Sequence, residues 1–192
     1  EITEVMADNC TFFMDETGAC PDYVEIHNTT SSPVDLAGWS LSDKAEKLQR
    51  WQFPSVTLPA GGYLAVHCSG MDRRADPAHL HTNFRISNKS DNVFLTDPNG
   101  NTVSHVRTPV MEPDQCYSLL ETGWSKQFSP SPNYPNTPEG ADAAAREIQQ
   151  RNDKGVRITE VLASSTKSDD WIELYNGTSA AVDLSGWGLS DN

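Results

Sequence analysis

The side chains best suited to chemistry in this chain are five carboxylates and amides that each occur twice. They are Asp22, Glu25, Asn28, Asp35 and Asp43, repeated as Asp170, Glu173, Asn176, Asp183 and Asp191. Calcium prefers oxygen ligands of this kind, so the set is a candidate calcium site. Asp and Asn also cap turns through their own side chains, and recurrence fits that role equally well. The sequence leaves calcium binding and turn capping both open.

A histidine pair is the second candidate site. His79 and His81 place both imidazole rings on one side if the segment is extended, and Asp76 is close by in sequence. Zinc accepts such ligands, so this group is a candidate zinc site, with a solvated loop as the alternative. The chain has no C-x-x-C spacing and no G-x-S-x-G serine turn. We therefore predict no catalytic residues. Apart from the calcium candidate, we also predict no metal centre and no cofactor.

The cysteines suggest a covalent closure of one loop. Cys10 and Cys20 lie in a connection that is longer than its counterpart in the second copy, which has no cysteine. A disulfide between them would offset the entropy of ordering the longer loop and would indicate an oxidising, extracellular compartment. Two free thiols in a cytosolic loop are the alternative. Cys68 and Cys116 either form a bridge or remain buried thiols.

The aromatic residues divide into two groups. Trp39 and its repeat Trp187 each follow a glycine on an apolar strand, which is typical of a core anchor. Tyr23 and its repeat Trp171 alternate away from the apolar face of their strand. This second pair is a candidate binding face for sugar rings or a partner protein. The alternative, which the pattern favours, is a sheet face covered by a neighbouring loop.

These residues belong to a pattern that the chain contains twice. Ile-Thr-Glu-Val occurs at 2–5 and 158–161, and Val-Asp-Leu-(Ala/Ser)-Gly-Trp occurs at 34–39 and 182–187. Self-similarity at a long period predicts a repeated domain. We expect the second copy to be incomplete, and its strands to pair with another molecule.

Within each copy the apolar residues recur with the period of a strand. Val24 and Ile26 alternate with Glu25 and His27, which predicts a half-buried strand. The residues Asp-Pro-Asn-Gly at 97–100 predict a hairpin between two later strands. Many short strands with turn residues between them predict an all-β, antiparallel sandwich.

The sequence predicts a helix in the segment that begins after Thr137. Thr137 can cap it, Pro138 suits the first helical position, the residues that follow are mostly helix formers, and Gly155 can end it. We therefore predict a β-sandwich at 1–137, a helical linker at 138–155 and the first part of a second repeat at 156–192.

Several segments together resemble the lamin tail domain family. They are Asp-Tyr-Val-Glu-Ile-His-Asn at 22–28, Gly-Trp-Ser-Leu-Ser-Asp at 38–43, the run at 51–66, and Ser-Asp-Asn-Val-Phe-Leu-Thr-Asp-Pro-Asn-Gly at 90–100. The resemblance implies an immunoglobulin-like β-sandwich without catalytic residues. Nuclear lamins carry a coiled-coil rod, and this chain has no heptads. The tandem units and the predicted disulfide therefore point to the bacterial extracellular type of the family. The chain departs from the family pattern in the loop at 10–20, the insert at 72–80 and the Pro-rich ending.

Charge limits the choice of partner. The net charge of −13 disfavours nucleic acid and anionic membranes, and no apolar run is long enough to span a bilayer. We predict a non-catalytic structural or interaction module of a larger secreted or surface protein. Its partner would be a protein, or a second copy bound through the incomplete repeat. The alternative is an accessory substrate- or carbohydrate-binding module of a secreted hydrolase or nuclease.

Overall fold

The computed structural model describes residues 1–152, 156–163, 169–177 and 181–190. The chain forms two compact units, Glu1–Ala145 and Arg146–Asn192. The predicted linker end at Gly155 and the repeated Asp191 lie outside the described residues. The division between the units falls within a helix, and the domain boundaries at 137/138 and 155/156 stay predictions.

Short antiparallel strands build the first unit. The strands are β1 (Ile2–Met6), β2 (Tyr23–His27), β3 (Val34–Asp35), β4 (Ser40–Ser42), β5 (Trp51–Gln52), β6 (Thr57–Leu58), β7 (Tyr63–His67), β8 (Asn92–Thr96), β9 (Thr102–Arg107), β10 (Cys116–Leu120) and β11 (Gly123–Gln127). A five-stranded sheet has the order β11-β10-β1-β2-β7, and a four-stranded sheet has the order β5-β4-β8-β9. A small sheet of β3 and β6 completes the unit. This arrangement is an immunoglobulin-like β-sandwich, so the predicted all-β fold class is confirmed.

The core lies between the two larger sheets. Val24 and Ile26 of β2 are buried in one apolar cluster with residues of β4, β5, β8 and β9, as their alternation predicted. The largest fully buried side chain is Trp51, whose ring meets Phe53 edge to face with 4.8 Å between centroids. The predicted hairpin is also confirmed, since the Asp97 amide donates to the Asn101 carbonyl at 2.9 Å between β8 and β9.

The outer face of the five-stranded sheet is covered by residues 129–137, here called the strap. The Ser131 amide donates to Glu4 Oε1 at 3.0 Å, and the Asn133 amide donates to Glu25 Oε2 at 2.7 Å. Both glutamates are 0% exposed, so the prediction of a half-buried β2 is wrong. Alternation shows which side chains share a face. It carries no information about a segment 108 residues away that covers that face.

The two buried carboxyls lie directly opposite each other in the β1–β2 register. Burial raises the pKa of Glu4, although hydrogen bonds from Tyr23 and Ser118 act in the other direction. Burial also raises the pKa of Glu25, well above its ordinary value, and the neighbouring Glu4 raises it further. Two carboxyls that share a site without water favour retention of a proton.

Helix α1 spans Pro138–Asn152 and begins as predicted. Thr137 Oγ1 accepts a hydrogen bond from the Gly140 amide at 3.1 Å, which satisfies one of the free donors of the first turn. A Cβ on residue 140 would lie 1.9 Å from the Pro135 carbonyl oxygen, so this close approach requires glycine. Among the described residues, no helix combines the length and the apolar character needed to cross a membrane.

Candidate functional site

The second unit contains one small sheet made of β12 (Val156–Leu162) and β13 (Trp171–Asn176). Within the described residues these strands pair only with each other. Each therefore has an outer edge whose backbone groups no described strand takes up. Such an edge is a template for pairing with another strand.

The local geometry of β12 and β13 repeats that of β1 and β2. Each pair carries a β-bulge at the same place, after Ile2 in β1 and after Ile158 in β12. Thr3 Oγ1 donates to Glu25 Oε1 at 2.7 Å, and the matching threonine and glutamate of the second unit make this bond at 2.6 Å. Sequence similarity between the copies thus extends to backbone irregularity and side-chain bonding.

The turn after the strands is repeated as well. The Trp39 amide donates to the Leu36 carbonyl at 2.9 Å, and the Trp187 amide donates to the Leu184 carbonyl at 3.0 Å. The two tryptophans therefore lie at the ends of equivalent turns.

An apolar surface of the second unit, here called the open face, distinguishes the copies. It consists of Ile158, Leu174, Leu184, Trp187 and Leu189, which are 53%, 38%, 40%, 61% and 63% exposed. These residues line a groove of about 350 Å³. The first-unit counterparts of the four aliphatic residues are Ile2, Ile26, Leu36 and Leu41, and all are at most 3% exposed. The same apolar pattern is buried in one unit and exposed in the other.

In the first unit, strands of the opposite sheet cover the residues that are equivalent to the open face. There, Ile2 and Ile26 pack in one cluster with Leu95 of β8 and Val106 of β9. No facing sheet of this kind is found in the second unit among residues 156–163, 169–177 and 181–190. Within these described ranges, no second sheet covers the open face.

The predicted core anchors are only partly confirmed. Trp39 is half-buried and packs against the core, whereas Trp187 is exposed on the open face. The fully buried tryptophan is Trp51, which the sequence analysis considered only as part of the run at 51–66 that resembles the family. Its neighbours Gln52 and Pro54 gave no signal of its burial.

The predicted binding face is not formed by Tyr23. Its side chain is 0% exposed, its hydroxyl donates to Glu4, and its ring meets Phe13 edge to face at 5.3 Å. The alternative of a sheet face covered by another segment describes Tyr23 correctly. Its repeat Trp171 is 39% exposed, because nothing within the described residues of the second unit covers that strand in the same way.

Two of the candidate calcium ligands cap turns instead. Asp35 Oδ1 accepts the Ala37 amide at 3.0 Å. Asn28 Oδ1 accepts the Thr30 amide at 3.1 Å, and its Nδ2 donates to main-chain carbonyls. These bonds are Asx turns, which was the alternative to calcium binding.

The other candidate calcium ligands also have separate roles. Glu25 lies under the strap, and Asp43 forms an ion pair with Arg50. Burial raises the pKa of Asp22 to about 6, although main-chain amides act against it. The structure does not bring the predicted set together, so the calcium site is corrected to a group of independent caps and buried carboxyls.

The predicted Cys10–Cys20 disulfide is absent, because both cysteines are free thiols. Polar side chains hold the loop in its place. Asn9 Nδ2 donates to the Pro21 carbonyl at 2.8 Å, and Asp114 Oδ1 accepts the Cys10 amide at 2.7 Å. The loop is thus closed without a covalent bond, by residues that the sequence analysis did not single out.

The remaining cysteines are also free thiols. Cys68 and Cys116 are both buried, which agrees with the alternative of buried thiols rather than a bridge. Burial raises the pKa of each thiol well above its ordinary value. A buried thiol with a raised pKa is unreactive, because the thiolate is the nucleophile.

The histidine pair lies beside a carboxylate from another loop. His81 is 0% exposed, with Nε2 3.1 Å from Glu16 Oε2 and Nδ1 2.9 Å from Ser69 Oγ. His79 Nδ1 is 3.7 Å from the same Glu16 oxygen, while Asp76 is 4.0 Å from the other ring nitrogen of His79. The solvated-loop alternative is wrong for His81. Glu16 was missed because nothing local links it to residue 81.

The chain of Ser69, His81 and Glu16 is similar in composition to a hydrolytic triad, but it is not arranged for catalysis. Ser69 is 6% exposed and its hydroxyl accepts the Met71 amide at 3.1 Å. A nucleophile must reach the substrate carbonyl, which a buried serine does not. Burial raises the pKa of Glu16, but its own amide, His81 and Arg73 lower it to about 2, so this carboxyl is ionised.

The fold and the site define an immunoglobulin-like β-sandwich module whose distinguishing surface is apolar. The family model of the Lamin Tail Domain matches residues 1–109 and 149–192. The chain belongs to the Lamin Tail Domain family, which confirms the resemblance seen in its strands and turns. No curated protein matches the chain.

Proposed function

We propose that the chain is a non-catalytic interaction module, built from tandem lamin-tail units, whose open face docks another polypeptide. The observation that carries this proposal is the contrast between buried Ile26 and exposed Leu174, which occupy equivalent positions in the two units. The family match and the sandwich fold support a module that binds rather than reacts. Such a surface would recognise a polypeptide segment that has apolar side chains and an extended, strand-like backbone.

The first unit suggests how the partner binds. The counterpart of β12 pairs with β10, the counterpart of β13 pairs with β7, and the counterpart of the open face lies against β8 and β9. A partner that supplies an extended strand to an edge of β12–β13 would satisfy backbone groups and cover apolar surface together. A second copy of this chain carries strands of this type, so self-association is the form of docking we propose first.

We propose that the host protein is secreted or displayed at a cell surface. The supports are the acidic composition and the resemblance to the bacterial extracellular type. The four free thiols remove the support that a disulfide would have given.

One observation favours a second candidate function. Trp171 and Trp187 are 39% and 61% exposed, and exposed indole rings can stack on sugar rings. An accessory carbohydrate-binding role within a secreted hydrolase or nuclease would rest on these two rings and not on Tyr23. Binding to a glycan array that is lost in Trp187→Ser would favour this role over protein docking.

The test of the first proposal is light scattering coupled to size exclusion over a wide range of protein concentration. We expect the 192-residue chain to associate as concentration rises, and Leu189→Ser to remain monomeric. Val110→Ser is the matched control, because Val110 is 62% exposed but belongs to the first unit. A wild-type chain that stays monomeric at the highest concentration would contradict self-association.

A further inference from the structure

Two loops of the first unit meet beside the end of β7. One connects β1 to β2 and contains Asp15 and Glu16; the other follows β7 and contains Arg73, His79 and His81. Both loops include segments in which the chain departs from the family pattern. The connection between β1 and β2 comprises residues 7–22, whereas its counterpart between β12 and β13 comprises only 163–170. The longer connection is therefore a feature of the first unit.

Three side chains converge at this place. One carboxylate oxygen each of Asp15 and Glu16 and one ring nitrogen of His81 lie within 4.8 Å of one another. The two carboxylate oxygens of Glu16 have different partners. Oε1 pairs with Arg73, and Oε2 lies 3.1 Å from His81 Nε2. Arg73 therefore holds the carboxylate without occupying the oxygen that faces the histidine.

Asp15 provides an independent indication that this place can bind a cation. Its Oδ1 accepts hydrogen bonds from the Thr17 amide, the Thr17 hydroxyl and the Ala19 amide at 2.8, 2.6 and 3.1 Å. Its Oδ2 is buried and has no hydrogen-bond partner among the described residues, and the residue is only 8% exposed. A buried carboxylate oxygen without a partner is costly, and a bound cation would satisfy it.

The surroundings of His81 suit a metal ligand. Ser69 Oγ, 2.9 Å from Nδ1, can accept the Nδ1 hydrogen, which leaves the Nε2 lone pair directed at the carboxylates. Ligating histidines in proteins almost always donate their other ring nitrogen in this way. The Met71 amide donates to Ser69 Oγ at 3.1 Å and holds the hydroxyl in position.

We propose that Asp15, Glu16 and His81 bind one divalent transition-metal ion of the zinc type, with water or His79 as the fourth ligand. Imidazole together with carboxylates suits zinc and its neighbours and disfavours calcium, which prefers oxygen alone. Tetrahedral zinc needs ligand atoms separated by about 3.3 Å, given metal–ligand distances of about 2.0–2.2 Å. The separation of 3.1 Å between Glu16 Oε2 and His81 Nε2 is close to this value. An oxygen of Asp15 lies within 4.8 Å of both ligand atoms.

The ion would join the two loops. The sequence analysis expected a Cys10–Cys20 disulfide to close one of them, the connection between β1 and β2. His79 Nδ1, 3.7 Å from Glu16 Oε2, lies in the outer half of the site. The site would hold the β1–β2 loop against the segment after β7, and zinc would stabilise the folded first unit by binding to it preferentially.

The test is titration of the metal-free 192-residue chain with zinc chloride, by calorimetry and by competition with a chromogenic chelator. We expect one ion per chain and a rise in thermal midpoint. Glu16→Gln and Asp15→Asn preserve side-chain shape, and each should weaken binding by more than about 100-fold. Ser69→Ala should weaken it by about 10–100-fold, the usual effect of an outer partner.

Two controls separate this site from other zinc ligands. Glu46→Gln changes an exposed carboxylate of a surface turn and should leave binding unchanged. The double variant Cys10→Ser, Cys20→Ser should also retain binding, and cobalt in place of zinc should give a tetrahedral spectrum without a thiolate band. The proposal is overturned by an absence of stoichiometric binding, by full affinity in Glu16→Gln, or by loss of binding in the cysteine variant.

Discussion

The strap offers the sharpest test of how the first unit is held together. Asn136 Nδ2 donates to the main-chain carbonyls of Thr3 and Leu119 at 2.8 and 3.2 Å, and its Oδ1 accepts the Ser131 hydroxyl at 2.7 Å. One side chain thus joins β1, β10 and the strap. We predict that Asn136→Ala destabilises the first unit strongly although it removes no apolar contact of the core.

The magnitude follows from these three hydrogen bonds. Each contributes about 1 kcal/mol net, and the Thr3 carbonyl would be left without its side-chain donor. The expected loss in the free energy of unfolding is therefore about 3 kcal/mol. For a unit of this size that corresponds to a fall of about 6–12 °C in the thermal midpoint.

The assay is urea unfolding followed by tryptophan fluorescence, with Asn101→Ala as the matched control. Asn101 Nδ2 makes one exposed bond to Asp97 at 3.0 Å, so its loss should cost less than about 0.5 kcal/mol. If the two variants unfold at the same urea concentration, the strap does not stabilise the sheet and the reasoning is wrong.

Two further predictions concern buried groups. Because burial raises the folded-state pKa of Glu25 above 4.5, the carboxyl stabilises the fold fully below that pH and loses its contribution as pH rises through the raised value. Glu25→Gln should therefore flatten the fall in unfolding free energy as pH rises above about 4.5, and equal slopes in both proteins would contradict this. Among the thiols, Cys10 should react with an aromatic disulfide reagent in the native chain, whereas Cys68 and Cys116 should react only after unfolding; a native chain without reactive thiol would indicate a disulfide.

Local patterns in the sequence predicted the strands, the hairpin and the helix start. Val24 and Ile26 alternate because one side of β2 packs on the core, and Asp97 precedes a turn that its side chain stabilises. Thr137 and Pro138 have conformational preferences that act within one helical turn. Such features depend on neighbours in the chain, so the sequence carries them directly.

The contacts that bury Glu25 and Tyr23 could not be predicted in the same way. The strap reaches Glu25 across 108 residues, and Phe13 reaches Tyr23 from a connection that is longer than its counterpart in the second copy. A polar face of a strand has the same alternation whether water or another segment covers it. The same holds for Glu16 and His81, which are 65 residues apart.

The repeat shows what sequence similarity does and does not establish. Leu184 and Leu36 begin equivalent turns and each accepts the same main-chain hydrogen bond, yet one is 40% exposed and the other is 3% exposed. Conformation is set by local sequence, whereas burial is set by the opposite layer. The exposure of the open face therefore depends on which segment covers it, and none of the described residues does so.

Amide hydrogen exchange measured against protein concentration tests the central claim most directly. We predict that β1 and β2 are protected at every concentration, because the first unit is closed on both faces. In dilute solution β12 and β13 should exchange quickly, and they should gain protection as the chain associates through the open face. Protection of β12 and β13 equal to that of β1 and β2 in the dilute monomer would contradict the account.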